Sequence, residues 1–490
     1  MTKNRILILL ALFCALPVSS KSPGKFSDYF INETMRIDYF HMGDKNREDI
    51  TIDRIYRQGT WAGNPNSLID EFNNGRYYIK VYDRAAGKLI FSKGFDSYFG
   101  EYKTTEKAAS GSKRTYHESA LIPYPKKKIR FVIENRDRQN RLHPIFEKVI
   151  DPGSIEINNE ALTAGVKVFN LLKNGDPHHK VDLAFIAEGY TEAEEKKLEK
   201  HLHIAAEFFF NREPYKSSKK KFNVYGVFKP SQESGCDEPG HGIYRNTALH
   251  ASFNSLGLSR YLLTEGNREL RDIAAHVPYD ALVIMVNNDR YGGGGIYNTF
   301  CVFTAGSIAR EYLLIHEFGH SFAGLADEYY SSAVAYNEFY PQGIEPIEPN
   351  ITALLNPDRL KWKEHVIEGI ALPSIWRKAE YEEFTMKYQA KRAVLNRKIA
   401  EFGRRGAAKP EIEILKNRLD ILKRKNAERT GAFLRKSPLL GKVGAFEGAG
   451  YTAVGLYRPM LDCIMFSTGA KPYCKVCEAA VARVIEHYTK

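Results

Sequence analysis

Past its first twenty residues, this 490-residue chain has no apolar run long enough to cross a bilayer, so no transmembrane segment is expected after the start. Cysteine is scarce. Of six, Cys14 lies in the leader-like start, and the remaining five cannot all pair with one another. A phosphate loop is also missing. The run Tyr291-Gly-Gly-Gly-Gly295 lacks the following Gly-Lys-Ser/Thr, and its glycines read instead as a flexible or tightly turned loop near a cleft. The formal net charge of +12 brings no Gly-rich or aromatic nucleic-acid motif with it. Its basic residues concentrate between Arg377 and Lys436, which points to a solvated basic face or attraction to acidic glycoprotein or cell surface. No nucleic-acid partner is expected.

What is present starts with Met1–Ser20. Lys3 and Arg5 precede the apolar stretch Ile6–Val18 and the small pair Ser19-Ser20, the pattern of a signal peptide over residues 1–20. The chain is therefore expected to be exported, to a periplasm, a cell surface or the medium. Ala11-Leu12-Phe13 do not match the small residues that lipoprotein cleavage prefers before Cys14, so no lipid anchor is expected. Export permits disulfides. Cys236 with Cys301, and a pair among Cys463, Cys474 and Cys477, are the candidates. Cys474-x-x-Cys477 has no second Cys-x-x-Cys or nearby histidine pair, so a disulfide or free thiol is expected there ahead of a metal.

Residues 21–158 read as an all-β sandwich. Tyr77–Tyr82 and Lys88–Ser92 flank a turn at Asp83–Gly87, a hairpin signal, and Lys127–Ile133 alternates polar and apolar residues. This domain is expected to act as a spacer or docking unit rather than in glycan recognition. From residue 159 to 490 strands and helices alternate: strands at Val181–Ala187, Phe222–Phe228 and Ala281–Val286, and a helix capped by Thr191 and running to about Phe210. Residues 375–430 form a helical hairpin insertion. Tyr381, Tyr388, Leu395 and Phe402 recur every seven residues, Ile412, Leu415, Leu419 and Leu422 follow at helical spacing, and Gly403–Pro410 supplies the turn. These stripes read as a seam, with the hairpin's role open.

The chemistry concentrates in Leu314–Tyr329. His316-Glu317-Phe318-Gly319-His320 is an H-E-x-x-H motif in a run that reads as helix, so both imidazoles project from one face and can share a metal ion. Glu317, at the edge of that face, is placed to act as general base on a water that the metal activates. A motif of five positions with two free can arise by chance. Here the apolar Arg310–Ile315 would otherwise be destabilised by two histidines and an acid, and Gly324 follows as a C-cap. One catalytic Zn²⁺ is expected, with a third protein ligand and an open position. In one large group of such enzymes that ligand comes three residues after the helix-ending glycine, which selects Asp327. The usual spacing would put the glycine at Ala323 and the ligand at Ala326, so this chain is one residue longer and Glu328 stays as the alternative. Glu338 is a weaker candidate, by analogy with enzymes that take the ligand from a later helix.

Met465, after Cys463, fits a methionine turn, whose soft side chain floors the ligand imidazoles without binding zinc. These segments resemble peptidase family M64, the IgA-peptidase-like group, together with Glu233–Pro239, Asn287–Gly295, Gly444–Gly450, Tyr457–Met465 and Cys474–Cys477. The resemblance covers most of the chain from about residue 160. It implies an N-terminal β-rich domain and a secreted bacterial metallopeptidase, with immunoglobulin A as the substrate of the founding activity. The substrate does not transfer on motifs alone, because the zinc machinery is shared by members that cut other proteins.

The expected fold is thus an N-terminal all-β sandwich followed by an α/β metzincin-like zinc-peptidase domain with an inserted helical hairpin. The expected function is exported, zinc-dependent endopeptidase action on protein or glycoprotein substrates. Glu317 moves the proton; His316, His320 and Asp327 (or Glu328) hold the metal. The oxyanion-stabilising tyrosine that some relatives place two residues after the methionine is Ser467 here, leaving Tyr329 and Tyr330 as substitutes. The rival is a non-catalytic surface or glycoprotein-binding protein with a structural metal. Glu317 counts against it, since a structural site has no use for a base and usually carries four protein ligands.

Overall fold

The computed structural model of the chain describes residues 24–330, 339–405 and 409–490. The expected leader with Cys14, the candidate Glu338 and the middle of the turn between the two long helices lie outside the described residues.

The N-terminal region is built from two four-stranded sheets. One runs, in spatial order, Arg114–Pro125, Phe30–Gly43, Glu48–Gln58 and Ile157–Asn158; the other runs Leu89–Phe95, Tyr77–Asp83, Ile129–Arg136 and Leu142–Ile150. Alternation sends Ile37, Tyr39 and Ile122 from the first and Ile79, Val81, Phe131 and Ile133 from the second into one apolar cluster. The Asp83–Gly87 turn closes as its sequence requires. Gly87, at φ +64°, donates its N–H to Asp83 at 2.9 Å, and Tyr82 pairs with Leu89.

Lys167–Leu172 already belongs to a third sheet, that of the C-terminal region, so the chain passes between the two regions after Asn158. That sheet has six strands in the order Gly293–Ile296, Phe300–Thr304, Ala281–Val286, Val181–Glu188, Phe222–Phe228 and Lys167–Leu172. The four central strands are parallel and both edges antiparallel. Val181–Glu188 and Phe222–Phe228 are buried at every position, as parallel strands covered on both faces must be. One face packs Leu183, Phe185, Val224 and Phe303 against the helices Glu195–Phe210, Arg310–Ala323 and Lys475–Thr489. The other packs Ala184, Ile186, Val227 and Ile284 against Asn267–Ala274.

The four-glycine run, expected as a loop, forms the antiparallel edge strand Gly293–Ile296. Glycine disfavours strands, and the packing described below is what overrides that preference. The turn after this strand is anchored on the N-terminal sheets. Asn298 Nδ2 donates to Gly94 O at 2.7 Å, Thr299 Oγ1 to Asp96 O at 2.7 Å, and Asp96 N–H to Tyr297 O at 2.9 Å.

The helices Lys378–Arg404 and Lys409–Arg435 pack on each other through Leu395, Ile399, Leu415 and Leu419. At their base Tyr381, Phe384 and Leu434 join the main core. Towards the other end Arg404 Nη1 donates to Gly240 O at 3.3 Å, and between the two Lys423 Nζ lies 5.6 Å from the Tyr291 ring.

Candidate metal centre

The helix Arg310–Ala323 carries a buried apolar first half and ends where Gly324 turns left-handed, at φ 60° and ψ 33°. There Gly324 N–H closes on His320 O at 3.0 Å and Leu325 N–H on Gly319 O at 3.2 Å. The turn redirects the chain so that Asp327 comes back to the helix face bearing the histidines.

His316 and His320, one turn apart, place their Nε2 atoms 3.2 Å from each other. Asp327 Oδ1 is 3.2 Å from the first and 3.3 Å from the second. Around a tetrahedral zinc with bonds of about 2.0–2.1 Å, donor atoms stand roughly 3.3 Å apart. The three atoms form that triangle.

Their outer contacts leave the right lone pairs free. His316 Nδ1 faces Ile464 O at 3.1 Å and His320 Nδ1 faces Leu325 O at 2.6 Å. A carbonyl only accepts, so each Nδ1 carries the proton and each Nε2 keeps its lone pair for a ligand. Asp327 Oδ2 accepts from the Tyr451 hydroxyl, while Oδ1 is buried with no hydrogen-bond donor of its own. Three electron-rich atoms turned on one point need a positive charge between them. Without a metal a proton serves: burial pulls His320 down, but the Asp327 carboxylate outweighs it and raises the imidazole to about 9. Asp327 is held well below the carboxylate range; burial opposes this, and the two imidazoles overcome it. The donor set fits a divalent ion such as zinc.

Glu317 is buried beside this triangle, its carboxylate within 4.8 Å of the imidazole nitrogens. Burial raises its pKa against the pull of His316 and His320. The glycine strand explains itself here. A Cβ on Gly293 would sit 3.0 Å from Glu317 Cγ and 3.1 Å from its Oε1, and one on Gly295 would sit 2.4 Å from Glu317 O and 2.9 Å from His320 Cβ. Side chains on this strand would push the helix off the sheet.

Met465 is fully buried beneath the helix. Its Sδ stands 3.2 Å from where a Cβ on Gly319 would be, and its carbonyl accepts the Glu328 N–H at 2.9 Å. Glu328 itself does not join the histidines. Its carboxylate turns the other way, to Cys477 Sγ at 3.1 Å and Cys474 Sγ at 3.8 Å.

Of the two tyrosines, Tyr329 lies at the site, its ring 6.4 Å from that of His316 and its hydroxyl bonded to Asp327 and Arg260. Tyr330 packs instead on Tyr381, against the base of the helical pair. Cys236 and Cys301 are free thiols in separate core clusters, so no bridge joins them. Two residues at the site carry no sequence signal of their own, Tyr451 and Arg260. The only pointer to Tyr451 is its position directly after the Gly444–Gly450 segment.

The family model described as IgA Peptidase M64 matches residues 169–485, and that described as Peptidase M64 N-terminus matches residues 25–147. No curated protein matches the chain. Among the described residues no helix is long and apolar enough to cross a membrane.

Proposed function

The chain belongs to the M64 family of peptidases, and on that premise we propose that it is an exported zinc endopeptidase. The observation that carries the proposal is the triangle of His316 Nε2, His320 Nε2 and Asp327 Oδ1, with sides of 3.2 to 3.3 Å. Bound there, zinc supplies Lewis acidity that polarises a carbonyl and lowers the pKa of water toward about 7.

Glu317 takes the proton of the attacking water and returns it to the leaving amine nitrogen. Its raised pKa, a consequence of burial, suits a group that must both accept and release a proton near neutral pH. Tyr451 and the Ile464 and Leu325 carbonyls hold the three ligands in orientation. Arg260, whose charge acts on both Glu317 and Asp327 and whose side chain also pairs with Tyr329, is a cation near enough to the site to favour an oxyanion.

In this reading the fold is metzincin-like. The helix stops at a left-handed glycine, the third ligand follows three residues later, and Met465 floors the site. The N-terminal sheets form a sandwich that braces the glycine strand, and the paired helices are an inserted hairpin beside the cleft. The substrates are proteins or glycoproteins of the extracellular space, with immunoglobulin A to be tested among them.

The test is cleavage of a mixture of secreted host proteins. Wild-type protein should cut a subset of them, a zinc chelator should stop it, and added zinc should restore it. Glu317→Gln should lose on the order of 10²–10⁴-fold in kcat while retaining metal. Full activity in that variant, or cleavage indifferent to the chelator, would sink the proposal.

A further inference from the structure

The main core hides a second donor cluster that the catalytic reading leaves unused. Cys463, Cys474, Cys477 and Glu328 are each at most 3% exposed, and their donor atoms all lie within 4.8 Å of one another. Cys463 Sγ is 3.9 Å from Cys477 Sγ, and Glu328 Oε1 is 3.1 and 3.8 Å from the Cys477 and Cys474 sulfurs. Zinc bonds of about 2.3 Å to sulfur and 2.0–2.2 Å to oxygen place tetrahedral donors roughly 3.5–3.8 Å apart. We propose that these four side chains bind a second zinc ion, in a closed structural site.

Three further features favour a cation over buried thiols. Glu328 is 0% exposed, and its Oε2 has no hydrogen-bond partner, a costly state for a carboxylate with no positive charge bound to it. Backbone N–H groups are aimed at the sulfurs: Cys474 N–H at Cys463 Sγ (3.2 Å), Met465 N–H at Cys463 Sγ (3.5 Å) and Cys477 N–H at Cys474 Sγ (3.5 Å). Cys474 caps the helix Lys475–Thr489 and Cys477 lies in its first turn, where the helix dipole favours thiolate. A disulfide answers these features poorly. Joining any two of the three sulfurs leaves the third buried and Glu328 Oε2 still without a partner.

Four protein donors leave no open position, which makes the site structural rather than catalytic. Its ligands flank the reactive centre: Glu328 adjoins Asp327, and Cys463 sits two residues before Met465. The ion thereby ties the segment after Gly324, the methionine turn and the C-terminal helix together beneath the histidines.

The inference is independent of the catalytic assignment, and metal analysis of the full chain separates the two. Wild-type protein should contain two zinc equivalents, His316→Ala/His320→Ala one, and Cys474→Ser/Cys477→Ser one. The cysteine variant is at risk of misfolding, so a second measurement uses the histidine variant loaded with cobalt. That protein should show the near-ultraviolet charge-transfer band of thiolate-bound cobalt. Alkylation of denatured, unreduced wild type should find Cys463, Cys474 and Cys477 all as free thiols. A histidine variant that takes up no metal overturns the second site, as does a disulfide among the three. One equivalent in wild type that survives in the histidine variant supports this site and removes the catalytic one.

Discussion

Asp327 and Glu328 are consecutive, acidic and buried, yet they serve opposite surroundings. Asp327 meets two imidazole nitrogens on the face of the Arg310–Ala323 helix, beside Glu317 and the glycine strand. Glu328 meets three sulfurs in the core. No helix or strand holds residues 325–330, so neighbouring side chains are free to face opposite sides of the chain. The divergence is pinned from both directions. Tyr451 fastens Asp327 Oδ2, while Asn350 Nδ2 donates to Ala326 O at 2.9 Å and to Glu328 Oε1 at 3.1 Å. Three donors beside a base leave space for a reactant. Four donors leave none.

The comparison breaks most directly by removing one carboxylate at a time. Asp327→Ala should empty the histidine site and lower kcat/KM by about 10³-fold or more, since the Lewis acid is worth several kcal/mol of barrier. Glu328→Ala should keep metal at the histidines and show its loss mainly in thermal stability. Metal content per variant, read against activity, decides it; loss of histidine-site metal in Glu328→Ala alone would reverse the two roles. A subtler intervention leaves every ligand in place. Gly293→Ala puts a methyl about 3 Å from the Glu317 carboxylate, and a shift of about 1 Å in a reacting group costs on the order of 10²-fold in kcat. Metal content should not change. Wild-type kcat would mean that Glu317 does not work from this position.

How far the sequence reveals this site depends on how local each contact is. The two histidines and Glu317 lie within five residues of one helix, and helical period alone aligns them. Gly324 announces its own left-handed turn, and Asp327 follows by counting. Counting favours Asp327 but leaves Glu328 open, because what separates the two is distant in sequence: Tyr451 on Asp327, and Cys463, Cys474 and Cys477 around Glu328. Cys463 and Glu328 complete the Cys474-x-x-Cys477 pair only in three dimensions, so the motif looked two donors short. Arg260 and Tyr451 belong to the same class. The glycine run misled for a different reason: composition reads as loop, while close approach of the site helix makes glycine the residue that an edge strand needs there. In the N-terminal region, period-two alternation and the Asp83–Gly87 turn made the hairpin legible; its docking on residues 297–299 was not.

Tyr451→Phe probes the support of the Asp327 carboxylate without replacing a metal-site residue. Losing the hydroxyl on Asp327 Oδ2 should weaken zinc affinity about 10- to 100-fold, measured by competition with a chelator. Unchanged affinity would place the burden of orienting Asp327 elsewhere.

The smallest expected effect concerns a second buried histidine–carboxylate cluster, one that needs no metal. In the N-terminal sheets His41 bridges Glu118 at 3.0 Å and Glu48 at 3.1 Å. Unlike Asp327 Oδ1, these carboxylates are saturated by the protein. Lys103 Nζ reaches Glu48 Oε1 at 2.8 Å, the Tyr77 hydroxyl reaches Glu48 Oε2 at 2.9 Å, and Phe99 N–H reaches Glu118 Oε1 at 3.0 Å. Burial opposes ionisation of Glu48, but His41 and Lys103 prevail and lower it to about 2. Its stabilisation is therefore whole above the unfolded value near 4.5 and is lost as pH falls through about 2. His41 is shifted upward; burial works against this and Glu118 outweighs it, so its share is whole below about 6.5 and fades as pH rises through the folded value. Both contributions are intact between roughly pH 4.5 and 6.5. Glu48→Gln should cost on the order of 2 kcal/mol in that window, with the gap from wild type narrowing toward pH 2. Thermal unfolding against pH measures it, and a chelator should leave this difference unmoved. If the chelator abolished it, a cation rather than a proton would be balancing this cluster, and the contrast between saturated and unsaturated carboxylates would lose its force.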